Sequence, residues 1–332
     1  MFSIIIPNYN GDKYLTSCLG SILSSTYENF ELIIIDNNST DGSLKLLDRF
    51  RNDKRIKIVP LANNIGYALA NNLGIKNSKG DFLVFLNNDT CVDSQWLTEL
   101  LKIFNIDHSV AAVQCMLLNM LEPGIYSLGG SLDYSGRFVP IECLWHSSPA
   151  LKAQKRLFWG SGAALVVRRS VLEKTGGFDS ELPNDEVDLC WRINLLGGRI
   201  LLAPKAIVYH VGSGSFGKKL NAKRIYYSER SMLTSCFRNF GFRSLTCSYV
   251  YLLSYLPMAI ALDIIFRKRI DVLLNRANAY LQFLVNFRKI YSQRLFVQNN
   301  IRKITDTEIR KLMIKPNPFL LQRYSQKRSL SN

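Results

Sequence analysis

The sequence predicts an α/β fold over its first two thirds, with a mostly parallel β-sheet and flanking helices. Two observations favour this class. Short apolar runs alternate with segments of helical spacing, and the apolar runs stop at Pro, Asn or Asp. Strands that alternate with helices form βαβ units, which build parallel sheets. The last third holds apolar helical segments rich in Lys and Arg, so we expect a separate helical region there.

Four strands are expected before Asn87, each an apolar run closed by a turn signal: Phe2–Ile6, Phe30–Ile35, Ile56–Val59 and Asp81–Leu86. Three helices separate them, the second capped by Ser39-Thr40-Asp41: Asp12–Ser25, a segment ending at Phe50, and Tyr67–Lys76. Beyond Val110 the periodicity is weaker. There we expect two strands, a helix and a closing strand pair: Val139–Leu144, Phe158–Arg168, Asp185–Leu196 and Arg199–His210.

Polar clusters stand where the early strands end: Pro7-Asn8-Tyr9-Asn10, Asp36-Asn37-Asn38, Asn63-Asn64 and Asn87-Asn88-Asp89. In open α/β sheets, ligands bind beyond the carboxyl ends of the strands. We therefore expect these four clusters to converge on one binding edge.

Charge is unevenly distributed along the 332 residues, whose net charge is +16. Residues 1–215 hold 20 Lys and Arg against 21 Asp and Glu, whereas residues 216–332 hold 22 against 5. A basic segment of this kind suits an anionic membrane, nucleic acid or a solvated face, and we see no nucleic-acid recognition module. The seven cysteines are scattered without a Cys-x-x-Cys pair, which indicates reduced thiols. Phe2–Pro7 is too short for a signal peptide.

Three acidic positions offer chemistry, and each has a plainer interpretation. Asp36 can accept hydrogen bonds from a base or a ribose, or can simply belong to a turn. Asp89 can bind a hard divalent cation together with substrate phosphates, or can again be a turn residue. Asp185-Glu186-Val187-Asp188 opens a helix, where carboxylates either are merely stabilised by the helix dipole or supply a general base. Asp188 and Arg192 are spaced to pair.

Two further positions are open in the same way. His210 follows an apolar run and precedes a glycine-containing stretch, so it is either a metal ligand or a packing histidine. Trp159-Gly160-Ser161-Gly162 either lines an acceptor pocket, where glycines allow close approach of a substrate, or places a core aromatic beside a strand bulge.

Together these motifs resemble family 2 glycosyltransferases, and in particular a rhamnosyltransferase-like subgroup that builds cell-surface polysaccharides. The segments that carry the resemblance span residues 2–215: Ser3–Asn10, Ile35–Ser43, Asn63–Ala68 and Gly80–Asp89. The resemblance implies the Rossmann-like GT-A fold. It also implies inverting transfer from a nucleoside-diphosphate sugar, dTDP-rhamnose or a UDP- or GDP-hexose, to a hydroxyl of a glycan or lipid-linked acceptor.

The resemblance also implies roles for individual residues. Those expected to contact the nucleotide sugar are Pro7, Tyr9, Asn10, Asp36, Asn38, Asn63, Gly66, Asn72, Asn87 and Asn88. Asp89 is expected to bind Mn²⁺ or Mg²⁺, with His210 as a further contact. The base is expected among Glu186, Asp185 and Asp188. Trp159, Gly160 and Ser161 are expected to contact the acceptor.

Two departures from the family pattern bear on activity. Asn87 replaces the first acid of the metal motif, and the base motif reads Asp-Glu-x-Asp rather than Glu-Asp-x-Asp. By position Glu186 takes the base role, with Asp185 as the alternative. No Gln-x-x-Arg-Trp motif is present, which favours single additions over polymer synthesis. The alternative functions are a catalytically impaired nucleotide-sugar-binding scaffold and a sugar-phosphate nucleotidyltransferase. The sequence lacks the glycine-rich basic loop that a nucleotidyltransferase would need after the first strand.

The boundaries we expect are a catalytic domain at 1–215 and a basic helical region at 216–332. The nucleotide-sugar half of the first would end near residue 110 and the acceptor half would span 111–215. Tyr249–Phe266 is apolar, but Pro257 and Asp263 disfavour a spanning helix. We expect shallow association with the cytoplasmic face of the cell membrane, with a buried hairpin as the alternative.

Overall fold

Strands and helices alternate through the first part of the chain, as predicted. The computed structural model describes residues 1–141, 156–182, 185–212, 222–266 and 269–315. The first seven elements are β1 (Phe2–Asn8), α1 (Asp12–Leu23), β2 (Phe30–Asp36), α2 (Ser43–Asp48), β3 (Ile56–Pro60), α3 (Tyr67–Lys76) and β4 (Phe82–Leu86). The periodicity of the sequence therefore places these elements to within a few residues.

The next part holds more strands than the sequence indicated. Its elements are β5 (Thr90–Val92), α4 (Trp96–Ile106), β6 (Val110–Asn119), β7 (Ile125–Ser127), β8 (Gly130–Leu132), β9 (Phe138–Pro140), β10 (Arg156–Leu157), β11 (Ala164–Arg168), α5 (Arg169–Thr175), α6 (Asp185–Leu195) and β12 (Arg199–His210). We did not predict α4 or β6. The apolar residues of α4 nevertheless have helical spacing, since Trp96, Leu97, Leu100 and Phe104 recur along one side of the helix. All four are buried.

The main sheet is parallel in its first half and mixed in its second. Its order is β10-β12-β6-β11-β4-β1-β2-β3, with β5 on β12 and β7 on β6. β1 pairs in parallel with both β2 and β4, whereas β11 runs antiparallel between β4 and β6. β8 and β9 form a separate antiparallel pair. The parallel order brings the carboxyl ends of β1, β2, β3 and β4 to one edge, where the polar clusters stand.

Helices cover both faces of the sheet. Residues of even number in β1, such as Ile4 and Ile6, pack with Leu15 and Leu19 of α1. On the opposite face Ile5 packs with residues of α3 and α6. Because successive strand residues point to opposite faces, this two-sided burial explains the unbroken apolar runs of the early strands.

Three predicted elements differ from the structure. α2 begins at Ser43, with Gly42 at the N-cap position; of the predicted capping residues, Asp41 accepts from Ser43 N at 3.0 Å, whereas the Ser39 hydroxyl donates to Asp36. Arg199–His210 is one strand and not a pair. Its register with β6 shifts between Ala203 and Ile207, where Pro204 has no N–H to donate, so the chain bulges without turning.

The third difference is Phe158–Arg168, of which only Ala164–Arg168 forms a strand, while Trp159 makes an isolated bridge to Gly130. Of the predicted strand Val139–Leu144, residues 142–144 lie outside the described residues.

The last third is helical, as predicted. It comprises α7 (Ala222–Asn239), α8 (Phe242–Ala261) with a π-helical turn Leu262–Phe266, α9 (Ile270–Val285), α10 (Phe287–Phe296) with a π-helical turn Val297–Ile301, and α11 (Asp306–Arg310). These helices share a third hydrophobic core with α6, in which Trp191 lies edge-on between Phe158 and Phe240. The expected boundary after residue 215 lies outside the described residues.

One segment of this region, Phe242–Ile265, is long and apolar enough to cross a membrane by length and composition alone. Only 20% of its most apolar window is buried inside the protein. Pro257 lies within α8, and the helix continues past it. Asp263 is fully buried and pairs with Arg276 of α9 at 3.0 Å, so the one carboxylate of the segment faces the protein.

Candidate active site

The ends of β1, β2 and β4 are joined by a buried chain of hydrogen bonds. Asp36 is fully buried, and its Oδ1 accepts from Asn8 Nδ2 at 2.8 Å and from Ser39 Oγ at 2.7 Å. Asn8 Oδ1 in turn accepts from Asn88 Nδ2 at 2.7 Å. Gly11 permits this approach, because a Cβ there would lie 2.2 Å from Asn88 Nδ2. The polar clusters therefore converge on one edge, as the sequence predicted.

Asp36 is held by protein donors on both carboxylate oxygens, since Ser39 N also donates to Oδ2 at 3.1 Å. These hydrogen bonds hold the loop after β2 against the end of β1. Its predicted contact with a base or ribose stays a prediction.

The loops after β1 and β2 lock onto each other in unusual backbone conformations. Asn10 and Asn38 have φ angles of 50° and 65°, in the left-handed region that few residues other than Gly and Asn adopt. Asn10 Oδ1 accepts from Thr40 N at 2.8 Å, and Asn10 N donates to Ser39 Oγ at 3.0 Å. Such strain concentrates at binding sites. Tyr9 beside this lock is half exposed, at 51%, and Pro7 is partly buried.

The loop before α3 is tied to the same edge. Ile65 N donates to Asn37 Oδ1 at 2.8 Å, and Gly66 adopts a φ of 82° immediately before the helix. Asn63 is exposed beside it. Asn72, on α3, uses both ends of its amide on the backbone of Phe178, at 2.8 and 2.9 Å. This bond braces α3 against the loop that leads to α6, and contact of Asn72 with a donor stays a prediction.

Asp89 and His210 bring a carboxylate and an imidazole together at this edge. His210 Nε2 lies 3.1 Å from Asp89 Oδ1 and 3.1 Å from Asn87 Nδ2. The backbone fixes the pair, because β5 and β12 run antiparallel and Val211 N donates to Asp89 O. The Tyr126 ring packs on the imidazole at a centroid distance of 4.4 Å.

Among the described residues there is no cluster of three or more His, Cys, Asp or Glu that would hold a metal alone. The donor set nevertheless fits a divalent cation that completes its shell with diphosphate oxygens, because a carboxylate and an imidazole already converge. His210 Nδ1 is buried without a hydrogen-bond partner, so Nε2 is the ring nitrogen that faces the site.

The segment Trp159–Ala163 links the metal side of the site to the helix side. Asn87 N donates to Ala163 O at 3.2 Å, and the Tyr67 hydroxyl donates to Gly162 O at 2.8 Å. A Cβ on Gly162 would lie 2.8 Å from Tyr67 Oη, so a larger residue there would have to displace the Tyr67 ring or the segment. Ser161 N donates to Gln114 Oε1 at 2.5 Å, which pins the segment to β6.

Trp159 and Gly160 have structural partners of their own. Trp159 Nε1 donates to Ser131 O at 2.9 Å, and Gly160 N donates to Cys190 Sγ at 3.4 Å. Trp159 also packs at the border of two hydrophobic cores. The indole therefore has the setting of a core residue, and the acceptor-binding role of Trp159, Gly160 and Ser161 stays a prediction.

Two carboxyl groups with raised pKa values open α6. Burial, followed by the neighbouring charge of Glu186, holds the pKa of Asp185 well above its usual range. Burial also raises the pKa of Glu186, whose side chain remains partly exposed. The pKa of the buried Tyr67 hydroxyl is raised as well, by burial and by the charges of Asp185 and Glu186. A carboxylate poised in this way is suited to accept a proton.

Asp188 lies three residues along α6 in a different setting. Burial alone would raise its pKa, but Arg238 and Arg192 outweigh burial and hold the pKa at about 2. The predicted pairing with Arg192 is confirmed, at 2.8 Å, and Asn239 Nδ2 donates to the other oxygen at 2.8 Å. With no exposed surface and donors on both oxygens, Asp188 has the setting of a structural anchor rather than a base.

The structure adds residues that we did not single out. Gln114 pins the Trp159–Ala163 segment, and its signal was a lone amide inside the apolar run of β6. Tyr67 lies between the segment and the α6 carboxylates. Arg238 pairs with Asp188 and with Asp179 from α7. The contacts of Arg238 with Asp188 and Asp179 cross 50 and 59 positions of sequence, so no local pattern indicated them.

Comparison with known proteins gives a consistent result. The model of the family "Glycosyl transferase family 2" matches residues 3–176, just over half of the chain. Glycosyltransferase GlyG of Streptococcus pneumoniae is 36% identical over 101 residues, which cover 30% of this chain and 34% of that protein. The chain thus spans about a third of the length of this curated relative.

Two solved structures share the fold. The TarS 1–349 structure from S. aureus in complex with UDP-GlcNAc has a TM-score of 0.61 at 15% identity, covering 98% of this chain and 92% of that one. The mannosyltransferase PcManGT from Pyrobaculum calidifontis, with GDP-Man and Mn²⁺, has a TM-score of 0.58 at 17% identity, covering 90% and 84%. These similarities confirm the predicted GT-A fold.

Proposed function

Because the chain belongs to glycosyl transferase family 2, we propose that it transfers a sugar from a nucleoside-diphosphate donor to a hydroxyl of a glycan or lipid-linked glycan. The donor proposed is dTDP-rhamnose or a UDP- or GDP-hexose, in keeping with a rhamnosyltransferase-like place in the family and with cell-surface polysaccharide synthesis. The fold is shared with proteins solved with UDP-GlcNAc and with GDP-Man, which supports a nucleotide-sugar partner.

One observation carries this proposal: a single segment, Trp159–Ala163, contacts both halves of the site. It binds Asn87 of the Asn87-Asn88-Asp89 motif on one side and Tyr67, beside Asp185 and Glu186, on the other. A transferase that displaces a diphosphate needs a place for that group next to a group that accepts the proton of the acceptor. Here a backbone hydrogen bond joins the segment to the first place, and the Tyr67 hydroxyl joins it to the second.

In the proposed reaction, Glu186 accepts the proton of the acceptor hydroxyl as its oxygen bonds to the anomeric carbon of the donor. The bond from that carbon to the diphosphate oxygen breaks at the same time, and the diphosphate leaves with the bonding pair. Attack opposite to the leaving group inverts the anomeric centre. Burial raises the pKa of Glu186, which strengthens it as a base. Asp185 is the alternative base.

Asp89 and His210 would hold a divalent cation, Mn²⁺ or Mg²⁺, at the diphosphate side. When bound, such a cation offsets the negative charge that develops on the leaving diphosphate. Asn87 contributes no carboxylate, so the diphosphate itself would complete the coordination. Structures of the same fold that contain Mn²⁺ support this choice of metal.

The test of function is release of nucleoside diphosphate from a panel of dTDP-, UDP- and GDP-sugars, with membrane lipid extract present and with Mn²⁺ or Mg²⁺ added or withheld. Metal-dependent release from one donor, lost in Glu186→Gln, is the expected result and identifies the donor. Binding of a nucleotide without release from any donor, shown as a raised Tm, would instead favour a scaffold without catalysis.

We further propose that residues 216–332 place a catalytic region of residues 1–215 on the cytoplasmic face of the cell membrane. Large apolar side chains are exposed along α8 and α9 and at the π-helical turn between them: Phe242, Val250, Leu253, Ile264, Ile265, Ile270, Leu274, Leu281, Leu284 and Val285. These exposed apolar side chains support shallow binding to a membrane, and the Lys and Arg of the region that are not paired with carboxylates inside the protein favour anionic lipid.

Membrane association is tested by sedimentation with vesicles of neutral or anionic phospholipid. Leu253→Glu changes a side chain that is 63% exposed on α8, so folding should be preserved while vesicle binding falls. The matched control is Ile106→Glu, which changes an exposed apolar residue of α4 and should leave binding unchanged. Equal binding by wild type and Leu253→Glu would contradict the proposal.

A further inference from the structure

We propose that Arg238 is a positioning residue for glycosyl transfer. It lies outside the segment that the family model matches, and it holds in place the helix that carries Glu186. Arg238 lies near the end of α7, far beyond residue 176, where the family match stops. It is 3% exposed, so its guanidinium is in contact with protein groups rather than with solvent. The inference rests on the proposed function, because it assigns Glu186 to the reaction.

The guanidinium of Arg238 bridges two carboxylates on either side of the base. Nη2 pairs with Asp188 Oδ2 in the first turn of α6, and Nη1 pairs with Asp179 Oδ2 in the loop that leads to the helix. Glu186 lies between these two attachment points in sequence. One rigid side chain therefore fixes both the approach to the helix and its first turn, where the carboxylates with raised pKa values are placed.

The end of α7 is itself fixed by the chain that follows. Arg294 donates to Phe237 O and, at 2.7 Å, to Phe240 O, while Gln298 Nε2 donates to Arg238 O at 2.8 Å. Arg302 donates to Asn239 O. These bonds bind the last carbonyl groups of α7, which no helical N–H can satisfy. Arg238 thus projects from a fixed support onto α6, and the C-terminal helices contribute to the geometry of the site.

An arginine is required for this role by its shape. The planar guanidinium carries donors on separate nitrogens and can serve two carboxylates at once, whereas a lysine ammonium is a compact charge on a flexible stem. Arg238→Lys would keep the charge but loosen one of the two attachments. A displacement of about 1 Å in a catalytic group can lower a rate about 100-fold, so the loss should appear in kcat.

The chain provides a matched control in Arg276. This arginine is also buried, at 6% exposure, and also bridges two carboxylates, Glu229 and Asp263, but these lie on α7 and in the turn after α8 rather than on α6. Arg238→Lys and Arg276→Lys therefore make the same chemical change at comparable burial. Only the first lies against the helix of the proposed base.

The experiment measures kcat and the donor KM for wild type, Arg238→Lys, Arg276→Lys and Glu186→Gln, with amide hydrogen exchange over residues 185–195. Arg238→Lys should lower kcat by about 10- to 100-fold with the donor KM unchanged, and speed exchange in that helix. Arg276→Lys should do neither. Wild-type kcat and exchange in Arg238→Lys, or an equal loss of kcat in Arg276→Lys, would overturn the inference.

Glu186→Gln separates this inference from the function on which it rests. If Glu186→Gln retains transfer, the assignment of the base fails, whereas faster exchange in Arg238→Lys still reports a loosened helix. If Glu186→Gln abolishes transfer while Arg238→Lys matches wild type in kcat and exchange, the function stands and the positioning role is refuted.

Discussion

Asp89 immediately precedes β5 and His210 ends β12, the antiparallel partner of β5, and Asp89 Oδ1 lies 3.1 Å from His210 Nε2. The two residues are far apart in sequence, and the ladder between the strands sets their separation. A carboxylate and an imidazole held in this way by backbone pairing are ready to share a cation or to bind one another.

Removal of either side chain of the pair should abolish metal-dependent transfer. We expect Asp89→Ala and His210→Ala each to lower kcat/KM by about 100-fold or more, since a cation at a leaving group contributes several kcal/mol. Transfer rates over a Mn²⁺ titration measure the effect. Asp81→Ala is the control, because Asp81 is exposed next to the opposite end of β4. Full activity in both site variants would refute the metal assignment.

The acidic limb of the pH–rate profile should report Glu186. Burial raises the pKa of this carboxyl, and a base must be deprotonated, so transfer should fall as the pH drops through a value above the ordinary range of glutamate. Glu186→Gln should lower kcat by about 100- to 10,000-fold and remove that limb. Asp185→Asn is the comparison. Loss of transfer in Asp185→Asn with activity retained in Glu186→Gln would make Asp185 the base.

Asp188 should contribute stability that depends on pH. Its pKa of about 2 lies below the unfolded value of about 3.9, so the contribution is complete above pH 4 or so and is lost as the pH falls toward 2. Asp188→Ala leaves Arg238 and Arg192 without this partner and should lower the free energy of unfolding by about 3–5 kcal/mol at pH 7.

Urea denaturation of wild type and Asp188→Ala, repeated at decreasing pH, measures this contribution. The difference between the two proteins should shrink as the pH falls. A difference that stays constant down to the lowest pH at which wild type folds would contradict the assigned pKa.

Gly162 should not tolerate alanine unless Tyr67 changes too. The added Cβ would lie 2.8 Å from Tyr67 Oη, so Gly162→Ala should displace the ring or the Trp159–Ala163 segment and lower transfer. The double variant with Tyr67→Phe removes the clashing oxygen and should recover part of the loss. Gly20→Ala, where a Cβ meets nothing within 4 Å, should instead stabilise α1 by about 0.5–1 kcal/mol. No recovery in the double variant would refute the proposed clash.

Much of the fold could be predicted because its signals are local. The apolar runs of β1, β2 and β4 stop at Asn8, Asp36 and Leu86, and the parallel order of the sheet then brings the polar clusters together without further information. The Asp188–Arg192 pair was predictable for the same reason, since four residues make one turn of helix.

What could not be predicted depends on contacts between distant parts of the chain. Nothing near Gln114 shows that its amide will hold Ser161, and nothing near Arg238 shows that it will reach Asp188. The Ser39 hydroxyl could equally have capped a helix or bonded to Asp36, and only the packing of β1 beside β2 decides between them. Local patterns identify helices and strands, whereas the hydrogen-bond partner of a given side chain depends on residues that are distant in sequence.

The burial of Arg238 and Arg276 changes how the positive charge of residues 216–332 should be interpreted. Arg238 and Arg276 are turned inward onto carboxylates, and Arg294 and Arg302 donate to backbone carbonyls at the end of α7. Arg238 and Arg276 act as internal cross-links, and because carboxylates offset their charge, these two side chains contribute little to the electric field outside the protein. A partner approaching this region therefore meets a weaker positive potential than the formal charge suggests, so ionic strength should affect its binding less than that charge implies.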